Sequence, residues 1–175
     1  MRKFTQQLAV VISLLFLPLT LVLADSLVAD AAMVRDVERI TVLLQQGEDV
    51  NTAQGDGMTA IHWAAENGDG TMAELLIAAG ANVDATTRMG GYSALHLASK
   101  NGAAKVVGAL LAAVGDSMAR TTTGAVTPLH FAAASGNVDV IRHLVTAGAD
   151  VNARESVWSQ TPLMFAAAGN RLNAV

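Results

Sequence analysis

The sequence predicts an all-α solenoid, in which short helix pairs stack along one axis. Two observations carry this prediction. A four-residue motif recurs with its first residues at Thr59, Ser93, Thr127 and Thr161, each 34 positions after the last, and a fixed period of this size indicates a repeat architecture. In addition, 52% of the 175 residues are hydrophobic but only 4% are aromatic. The core must therefore be mainly Ala, Leu and Val, which favours helices over a β-sandwich.

The first 24 residues have the layout of a secretory signal peptide. They begin with two basic side chains, continue through the apolar run 8–23, and end with Val22 and Ala24 at the small-residue positions that signal peptidase requires. We expect cleavage between Ala24 and Asp25. The mature chain would then keep nine basic and fifteen acidic side chains, a formal charge of -6.

An uncleaved membrane anchor through residues 8–23 is the alternative to a signal peptide. The apolar run is about 16 residues long, shorter than the roughly 20 that a spanning helix needs, and Pro18 would interrupt a helix. We therefore expect the segment to be removed and the mature protein to have no contact with a membrane.

The repeat domain is predicted to span residues 25–175 and to begin with an atypical unit, residues 26–58. This unit keeps an alanine pair at Ala31 and Ala32 but lacks the four-residue motif, and it has Arg35 where later units have glycine. Terminal repeats are expected to differ from internal ones because one of their faces meets solvent. We interpret residues 26–58 as the N-terminal cap.

Three complete units and one incomplete unit follow, at residues 59–92, 93–126, 127–160 and 161–175. In each, the Thr or Ser of the motif can cap a first helix with its hydroxyl, and proline is tolerated in the first helical turn. A glycine supplies the positive φ of the helix end, and a leucine-rich second helix packs against the neighbouring units. Since residues 161–175 only begin a second helix, we expect the chain to be a fragment of a longer array.

One connection between units departs from the pattern. Residues 80–81 and 148–149 read Gly-Ala, whereas Val114 and Gly115 occupy the equivalent positions. Residues 116–118 then read Asp-Ser-Met in place of a pattern such as Asp-Val-Asn. We expect this connection to be reshaped.

These features resemble the ankyrin-repeat family, whose unit reads Thr-Pro-Leu-His-x-Ala-Ala, then a leucine-rich helix, then Gly-Ala-Asp-Val-Asn. The clearest copies are residues 127–133 and 148–152, and the resemblance extends over residues 26–175. It implies helix-turn-helix units joined by short β-hairpin loops. With its leader, the layout resembles exported bacterial proteins of this family, so we expect a periplasmic or secreted protein, or one tethered in the same compartment if the anchor is kept.

Composition and motifs exclude several functional classes. Eleven Lys and Arg against fifteen Asp and Glu give a formal charge of -4 with no basic cluster, so a nucleic-acid partner is not expected. The absence of cysteine rules out disulfides and thiolate chemistry. The sequence also lacks the common hydrolase, metalloprotease and phosphate-binding motifs. We predict a protein that is not an enzyme and needs no cofactor.

Three histidines recur at the fourth position of the motif, at His62, His96 and His130. Equivalent side chains on stacked helices lie roughly 8 to 10 Å apart, whereas zinc ligands each reach within about 2.1 Å of the metal. We therefore expect no metal site. The family resemblance implies instead that each histidine hydrogen-bonds within the turn that enters its own repeat.

Because no catalytic or metal site is expected, the surface of the repeats is the candidate functional region. In the ankyrin-repeat family the hairpin tips and first helices line a concave groove that binds a protein partner, and the resemblance implies the same here. The residue after each motif His or Met forms a stripe at the repeat period, charged residues end the same helices, and aromatic residues lie at hairpin tips, where a large side chain is difficult to bury. The candidate partner-binding residues are Trp63, Glu66, Tyr92, Leu97, Lys100, Phe131, Trp158 and Phe165.

Two interpretations of the stripe stay open, because its side chains can anchor a partner or pack adjacent first helices together. For the function, we predict a non-catalytic protein-interaction module, a monomer whose protein partner the sequence does not name. The alternative is that these repeats are one portion of a longer exported protein whose catalytic or metal-binding part lies beyond residue 175.

Overall fold

A computed structural model describes residues 26–175, and the signal segment predicted at residues 1–24 lies outside the described residues. Residues 26–175 are all helical apart from their connections, which include one isolated bridge between Thr86 and Ser93. No helix among them combines the length and the apolar character that a membrane crossing requires. The helices of this part of the chain are α1 (Leu27–Met33), α2 (Val37–Gln45), α3 (Ala60–Glu66), α4 (Gly70–Ala78), α5 (Ala94–Lys100), α6 (Ala104–Ala112), α7 (Pro128–Ser135), α8 (Val138–Thr146), α9 (Pro162–Ala168) and a 3-10 turn (Leu172–Ala174).

The helices form two layers, as the predicted solenoid requires. The first helix of each unit contacts the first helix of the next, so α1, α3, α5, α7 and α9 stack into an inner layer, while α4, α6 and α8 stack into an outer layer. Each first helix also contacts the second helix of its own unit. The central units therefore bury apolar faces against their neighbours, and the expected all-α repeat fold is confirmed.

The core lies between the two layers and repeats with the sequence. Each central unit contributes one large aliphatic side chain from its inner helix and one from its outer helix, and alanines with no exposed surface let the helices approach closely. Full burial of one such aliphatic side chain contributes roughly 1.5–3 kcal/mol. The repeated core residues are Ile61, Leu95 and Leu129 from the inner layer and Leu76, Leu110 and Leu144 from the outer layer.

The four predicted helix starts are equivalent in the structure. The motif residues Thr59, Ser93, Thr127 and Thr161 are the N-caps of α3, α5, α7 and α9, and all four have an extended backbone. Proline occupies the first turn of α7 and of α9, where its missing N–H leaves no bond unmade. The Thr or Ser side chain takes part in a capping box at the start of α3, α5 and α7, whereas Thr161 makes no side-chain cap bond. The motif position therefore marks where each inner helix begins.

The positive backbone angles predicted at the ends of the inner helices are present. Gly68, Gly102 and Gly136, which follow the inner helices, have φ values of 66°, 66° and 79°. In the cap unit Arg35 takes the same conformation, with a φ of 61°, and its guanidinium Nη2 donates to the carbonyl of Asn67 at 3.0 Å. The cap therefore keeps the geometry of the glycine units with a different residue.

The connection at Val114 is not reshaped, and the prediction that it would be is wrong. Val114 has a φ of 64°, in the same left-handed region as Gly80 at 87°. The N–H of Gly115 donates to the carbonyl of Leu110 at 2.9 Å, and Asp116 accepts the N–H of Met118 at 2.8 Å, as in a regular connection. Because these bonds fix the turn, an exposed valine is held in a conformation that a β-branched side chain disfavours.

Hairpin loops project from one end of the inner helices, and we call them fingers 1 to 4. They comprise residues 54–58, 87–92, 121–126 and 155–160. Fingers 2, 3 and 4 each donate one backbone N–H to a carbonyl of the finger before, so the four form a continuous bonded row. The bonds are Arg88 N–H to Asp56 at 2.8 Å, Thr122 N–H to Gly90 at 2.9 Å, and Ser156 N–H to Gly124 at 2.7 Å.

Candidate functional site

The stripe on the inner helices begins with Trp63, which is half-buried and packs against the core. Its indole Nε1 donates to Gln54 Oε1 in finger 1 at 2.7 Å, and Gln54 Nε2 donates to Asp30 Oδ1 of α1 at 2.6 Å. This chain of bonds ties an inner helix to a finger and to the cap unit. Trp63 therefore holds units together and keeps part of its surface exposed.

Leu97 does not line the groove, which corrects its place among the candidate contacts. Only 9% of its surface is exposed, and it belongs to the hydrophobic core. It is shorter than the aromatic residues at the equivalent positions in the units before and after it, Trp63 and Phe131. Between these larger neighbours its side chain exposes little surface.

The two phenylalanines of the stripe are half-buried and lie against histidine rings. Phe131 makes an edge-to-face contact with His96 at a centroid distance of 6.0 Å, and Phe165 makes one with His130 at 5.0 Å. In both cases the phenylalanine packs on the histidine of the preceding unit. Each ring thus combines the two roles left open for the stripe, since it packs between units and keeps part of its surface exposed.

Tyr92 is not free at its hairpin tip, contrary to the expectation that a large side chain there is difficult to bury. Its ring is half-buried, with centroids 5.9 Å from Phe131 and 6.2 Å from His96. The ring lies over Gly90, where an added Cβ would come within 2.4 Å of Tyr92 Cε2. A glycine in the finger therefore makes the room that lets Tyr92 fold back onto the groove wall.

Trp158 is the one aromatic candidate that stands free, with 76% of its surface exposed. Its finger is held from inside by the carboxylate of Glu155, only 4% of which is exposed. Glu155 accepts backbone N–H bonds from Val157 at 2.6 Å, Trp158 at 2.8 Å and Gln160 at 2.9 Å. The tryptophan is therefore presented on a loop whose backbone is already ordered.

The environment of Glu155 favours its charged form. The N–H of Gln160, then those of Val157 and Trp158, lower the pKa of this carboxyl below its ordinary value, against an opposing effect of burial. Glu155 was not among the residues predicted from the sequence. The repeat period could have indicated its role, because Glu155 lies 34 residues after Thr121 and 68 after Thr87. Thr121 accepts the equivalent N–H bond from Val126, and Thr87 accepts it from Tyr92, both at 3.0 Å.

The two charged candidates, Glu66 and Lys100, are exposed at the ends of α3 and α5. Glu66 receives the side chain of Asn101, whose Nδ2 donates to the Glu66 carbonyl at 3.1 Å and to its Oε2 at 3.3 Å. The candidate residues therefore fall into two surfaces. The groove wall carries Trp63, Glu66, Tyr92, Lys100, Phe131 and Phe165, and the finger row carries Trp158.

The three motif histidines connect the units in series. Each has no more than 1% of its surface exposed. In the first, Nδ1 accepts the N–H of Thr59 at 3.2 Å, as the family resemblance implied for the entering turn, and the opposite nitrogen, Nε2, lies 3.1 Å from the carbonyl of Tyr92 in the next unit. His96 and His130 repeat this arrangement with Val126 and Gln160.

These bonds fix the protonation state of the rings. A carbonyl only accepts, so Nε2 carries the proton, and an Nδ1 that accepts a backbone N–H is unprotonated. Burial lowers the pKa of His62, His96 and His130 below its ordinary value, against the opposing effect of the carbonyl bonds. Their Nε2 bonds and burial leave these rings in structural roles. Among residues 26–175, no three His, Cys, Asp or Glu side chains cluster so that they could hold a metal ion.

Comparison with known proteins points to one family. The family profile described as "Ankyrin repeats (3 copies)" matches residues 28–122, and that described as "Ankyrin repeat" matches residues 126–156. Potassium channel AKT1 of Oryza sativa, in both subsp. indica and subsp. japonica, is 45% identical over 49 residues, which are 28% of this chain and 5% of the channel.

A human protein gives a similar match. Ankyrin repeat domain-containing protein 39 of Homo sapiens is 37% identical over 57 residues, 33% of this chain and 31% of that protein. The chain therefore spans less than a third of the length of each of these curated relatives.

Proposed function

Because this chain belongs to the ankyrin-repeat family, whose repeats generally serve as protein-protein interaction modules, we propose that it is a non-catalytic module that binds a protein partner through its groove and fingers. Solenoids present extended surfaces that can engage one ligand along several units. The groove wall and the finger row meet at Tyr92 of finger 2, whose ring centroid lies 5.9 Å from that of Phe131.

The observation that carries the proposal is the presentation of Trp158. Tryptophan is enriched among the residues that dominate binding energy at protein interfaces. Here it is 76% exposed, yet three backbone bonds to Glu155 order its loop. A partner that binds it does not have to order the loop first, which reduces the entropic cost of association.

The groove wall supplies a second, flatter part of the proposed surface. Phe131 and Phe165 each keep part of a ring exposed, and the charges of Glu66 and Lys100 adjust which partner fits. Leu97 lies in the core, and the half-buried ring of Tyr92 packs against that core. We expect them to shape the site without forming its main contacts.

Site-specific photo-cross-linking tests the proposal. Benzoylphenylalanine is placed at Phe165 in the groove wall or at Trp158 in finger 4, and the control places it at Lys105, which is exposed on the outer helix α6. In cells that make the protein naturally, we expect a protein adduct from the first two positions and none from Lys105. Adducts from Lys105 alone would show that a different surface binds.

We also propose that the protein is exported, with mature residues beginning at Asp25 in the periplasm or outside the cell. The proposal is supported by the basic start, the apolar run 8–23 and the small residues Val22 and Ala24. Mass spectrometry of the mature N-terminus tests it. An intact segment 1–24 in the membrane fraction would favour the tethered alternative.

A further inference from the structure

Charge is divided unevenly along the solenoid. Residues 26–84 carry ten acidic and two basic side chains, whereas residues 85–175 carry four acidic and seven basic ones. The net negative charge of the whole chain conceals this division. The two halves of the solenoid therefore have net charges of opposite sign. Their electrostatic field directs a charged partner toward the half of opposite charge.

Three of the basic side chains in the second half lie in a finger or directly before one: Arg88 in finger 2, Arg120 before finger 3 and Arg154 before finger 4. Arg88 Nη1 donates to the carbonyl of Gly55 at 2.8 Å, Arg120 Nη1 to that of Arg154 at 3.1 Å, and Arg154 Nη1 to that of Ser159 at 2.8 Å. A guanidinium has five N–H donors. Each arginine is therefore anchored by one nitrogen and keeps donors for another ligand.

None of these three arginines is neutralised by a carboxylate within residues 26–175. The salt bridge in that part of the chain joins Arg142 to Asp139 on the outer helix α8. Glu155, the acid adjacent to Arg154 in the sequence, uses both carboxylate oxygens on backbone N–H groups of its own finger. The positive charge of the fingers is thus available to a partner.

Exposed apolar side chains lie among these charges. Met89 is 78% exposed in finger 2, and Val157 and Trp158 are 61% and 76% exposed in finger 4. The backbone bonds between fingers hold these side chains in one row. We call this surface the basic finger edge, and it consists of Arg88, Met89, Arg120, Arg154, Val157 and Trp158.

We propose that the basic finger edge binds an extended acidic segment of the partner protein, which places an apolar side chain against Trp158. Arginine recognises carboxylates through paired N–H donors, and arginines spread over successive fingers match charges spread along an extended strand. The acidic first half of the solenoid repels such a segment and directs it to the second half. The inference rests on the proposed protein-binding function and adds the chemical class of the ligand.

Selection from a random-peptide phage library on the immobilised full chain tests the ligand class. We expect the enriched peptides to be rich in Asp and Glu and to carry a large apolar residue. Enrichment of neutral or basic peptides, or no enrichment, would overturn the proposal. If photo-cross-linking still captures a protein at Trp158 in that case, the binding function stands and only the acidic ligand is wrong.

Fluorescence anisotropy with the most enriched peptide then locates its site. The double variant R120Q/R154Q should weaken binding about tenfold or more at low salt. The matched control K105Q/R142Q also removes two positive charges, but from the outer helices, and should bind normally. W158A should weaken binding about 30-fold, the loss of a typical interface hot spot, with V42A as the control for an exposed apolar residue on α2.

Two further measurements keep the result independent of folding. R120K/R154K retains the charges but lacks the paired N–H donors of arginine, so it should recover only part of the lost affinity. Circular dichroism melting checks that every variant is folded. Vesicles of phosphatidylcholine with phosphatidylglycerol and a single-stranded oligonucleotide are titrated in parallel. Preferential binding of either one by the basic finger edge, or equal peptide affinities of R120Q/R154Q and K105Q/R142Q, would contradict an acidic protein ligand.

Discussion

At the scale of single residues, Val114 shows a local strain that the fold tolerates. It is 85% exposed and takes a φ of 64° where the equivalent residues are glycines. A left-handed conformation destabilises a residue with a Cβ by about 1–2 kcal/mol. Replacement by glycine removes this cost, but part of the gain in stability is lost because glycine makes the unfolded chain more flexible.

Val114→Gly should therefore raise the free energy of unfolding by about 1 kcal/mol, as measured by urea denaturation. Val114→Ala is the matched control, because it removes the β-branch but keeps the Cβ that disfavours positive φ. Val114→Ala should raise the free energy of unfolding by less than Val114→Gly does. A glycine variant less stable than the wild type would show that the valine side chain makes a stabilising contact that outweighs the strain.

Glu155 illustrates how one residue can order a whole loop. Thr87 and Thr121, at the equivalent positions, each accept the N–H that closes their finger, whereas the longer carboxylate of Glu155 also reaches the N–H groups of Val157 and Trp158. The extra bonds exist only where the finger displays an exposed tryptophan.

Glu155→Thr should keep the bond to Gln160 and lose the other two. Hydrogen exchange followed by NMR should then show faster exchange of the Val157 and Trp158 amides, with the Gln160 amide still protected. The matched control is Glu48→Thr, which changes an exposed glutamate outside the fingers. Unchanged protection of Val157 and Trp158 would mean that the finger is ordered without the carboxylate.

At the scale of elements, two aromatic residues of the fingers should respond differently to truncation. Tyr92→Ala removes a half-buried ring that contacts Phe131 and His96 and should cost about 2 kcal/mol or more of stability. Trp158→Ala removes a ring that is 76% exposed and should stay within about 0.5 kcal/mol of the wild type. Thermal melts of both variants decide this, and equal losses would contradict the packing described for Tyr92.

The helix starts and the burial of Tyr92 differ in how far the sequence could predict them. The starts of α3, α5, α7 and α9 follow from the Thr or Ser motif because capping acts over three or four neighbouring residues. The burial of Tyr92 could not be read in this way, because it depends on Gly90 in its own finger and on Phe131 in the next unit. Contacts that cross between units require the geometry of the stack.

The candidate site was predictable to the same extent. Trp158 was correctly expected to be exposed, since it lies at a finger tip. Leu97 shares the periodic spacing of the stripe, but its shorter side chain leaves it in the core. Glu155 was missed because threonine and glutamate differ in size and charge, although both accept the N–H that closes a finger.

At the scale of the whole molecule, the three histidines form a series of bonds from each unit to the next. Each neutral ring accepts at Nδ1 from its own unit and donates from Nε2 to a carbonyl of the following unit. A second proton on any ring would remove the Nδ1 acceptor and place a charge in the core. The stability of the stack is therefore linked to pH.

The sign of this linkage follows from the lowered pKa values of His62, His96 and His130. Below about pH 6.5 the unfolded chain binds protons at these rings before the folded chain does. The free energy of unfolding should thus be constant above that pH and fall as the pH drops through the window down to the folded-state values. Each ring contributes at most about 1.4 kcal/mol per pH unit.

Urea denaturation between about pH 7.5 and 5 measures this dependence before most carboxyl groups titrate. The wild type should lose stability across the acidic part of the range, and His96→Gln should be less stable at neutral pH but show a shallower dependence, because one titrating ring is gone. The matched control is His143→Gln, which changes an exposed histidine on the outer helix α8 and should keep the steep profile. A wild-type profile that is flat or rises toward acid would show that the buried rings accept protons without loss of the bonds between units.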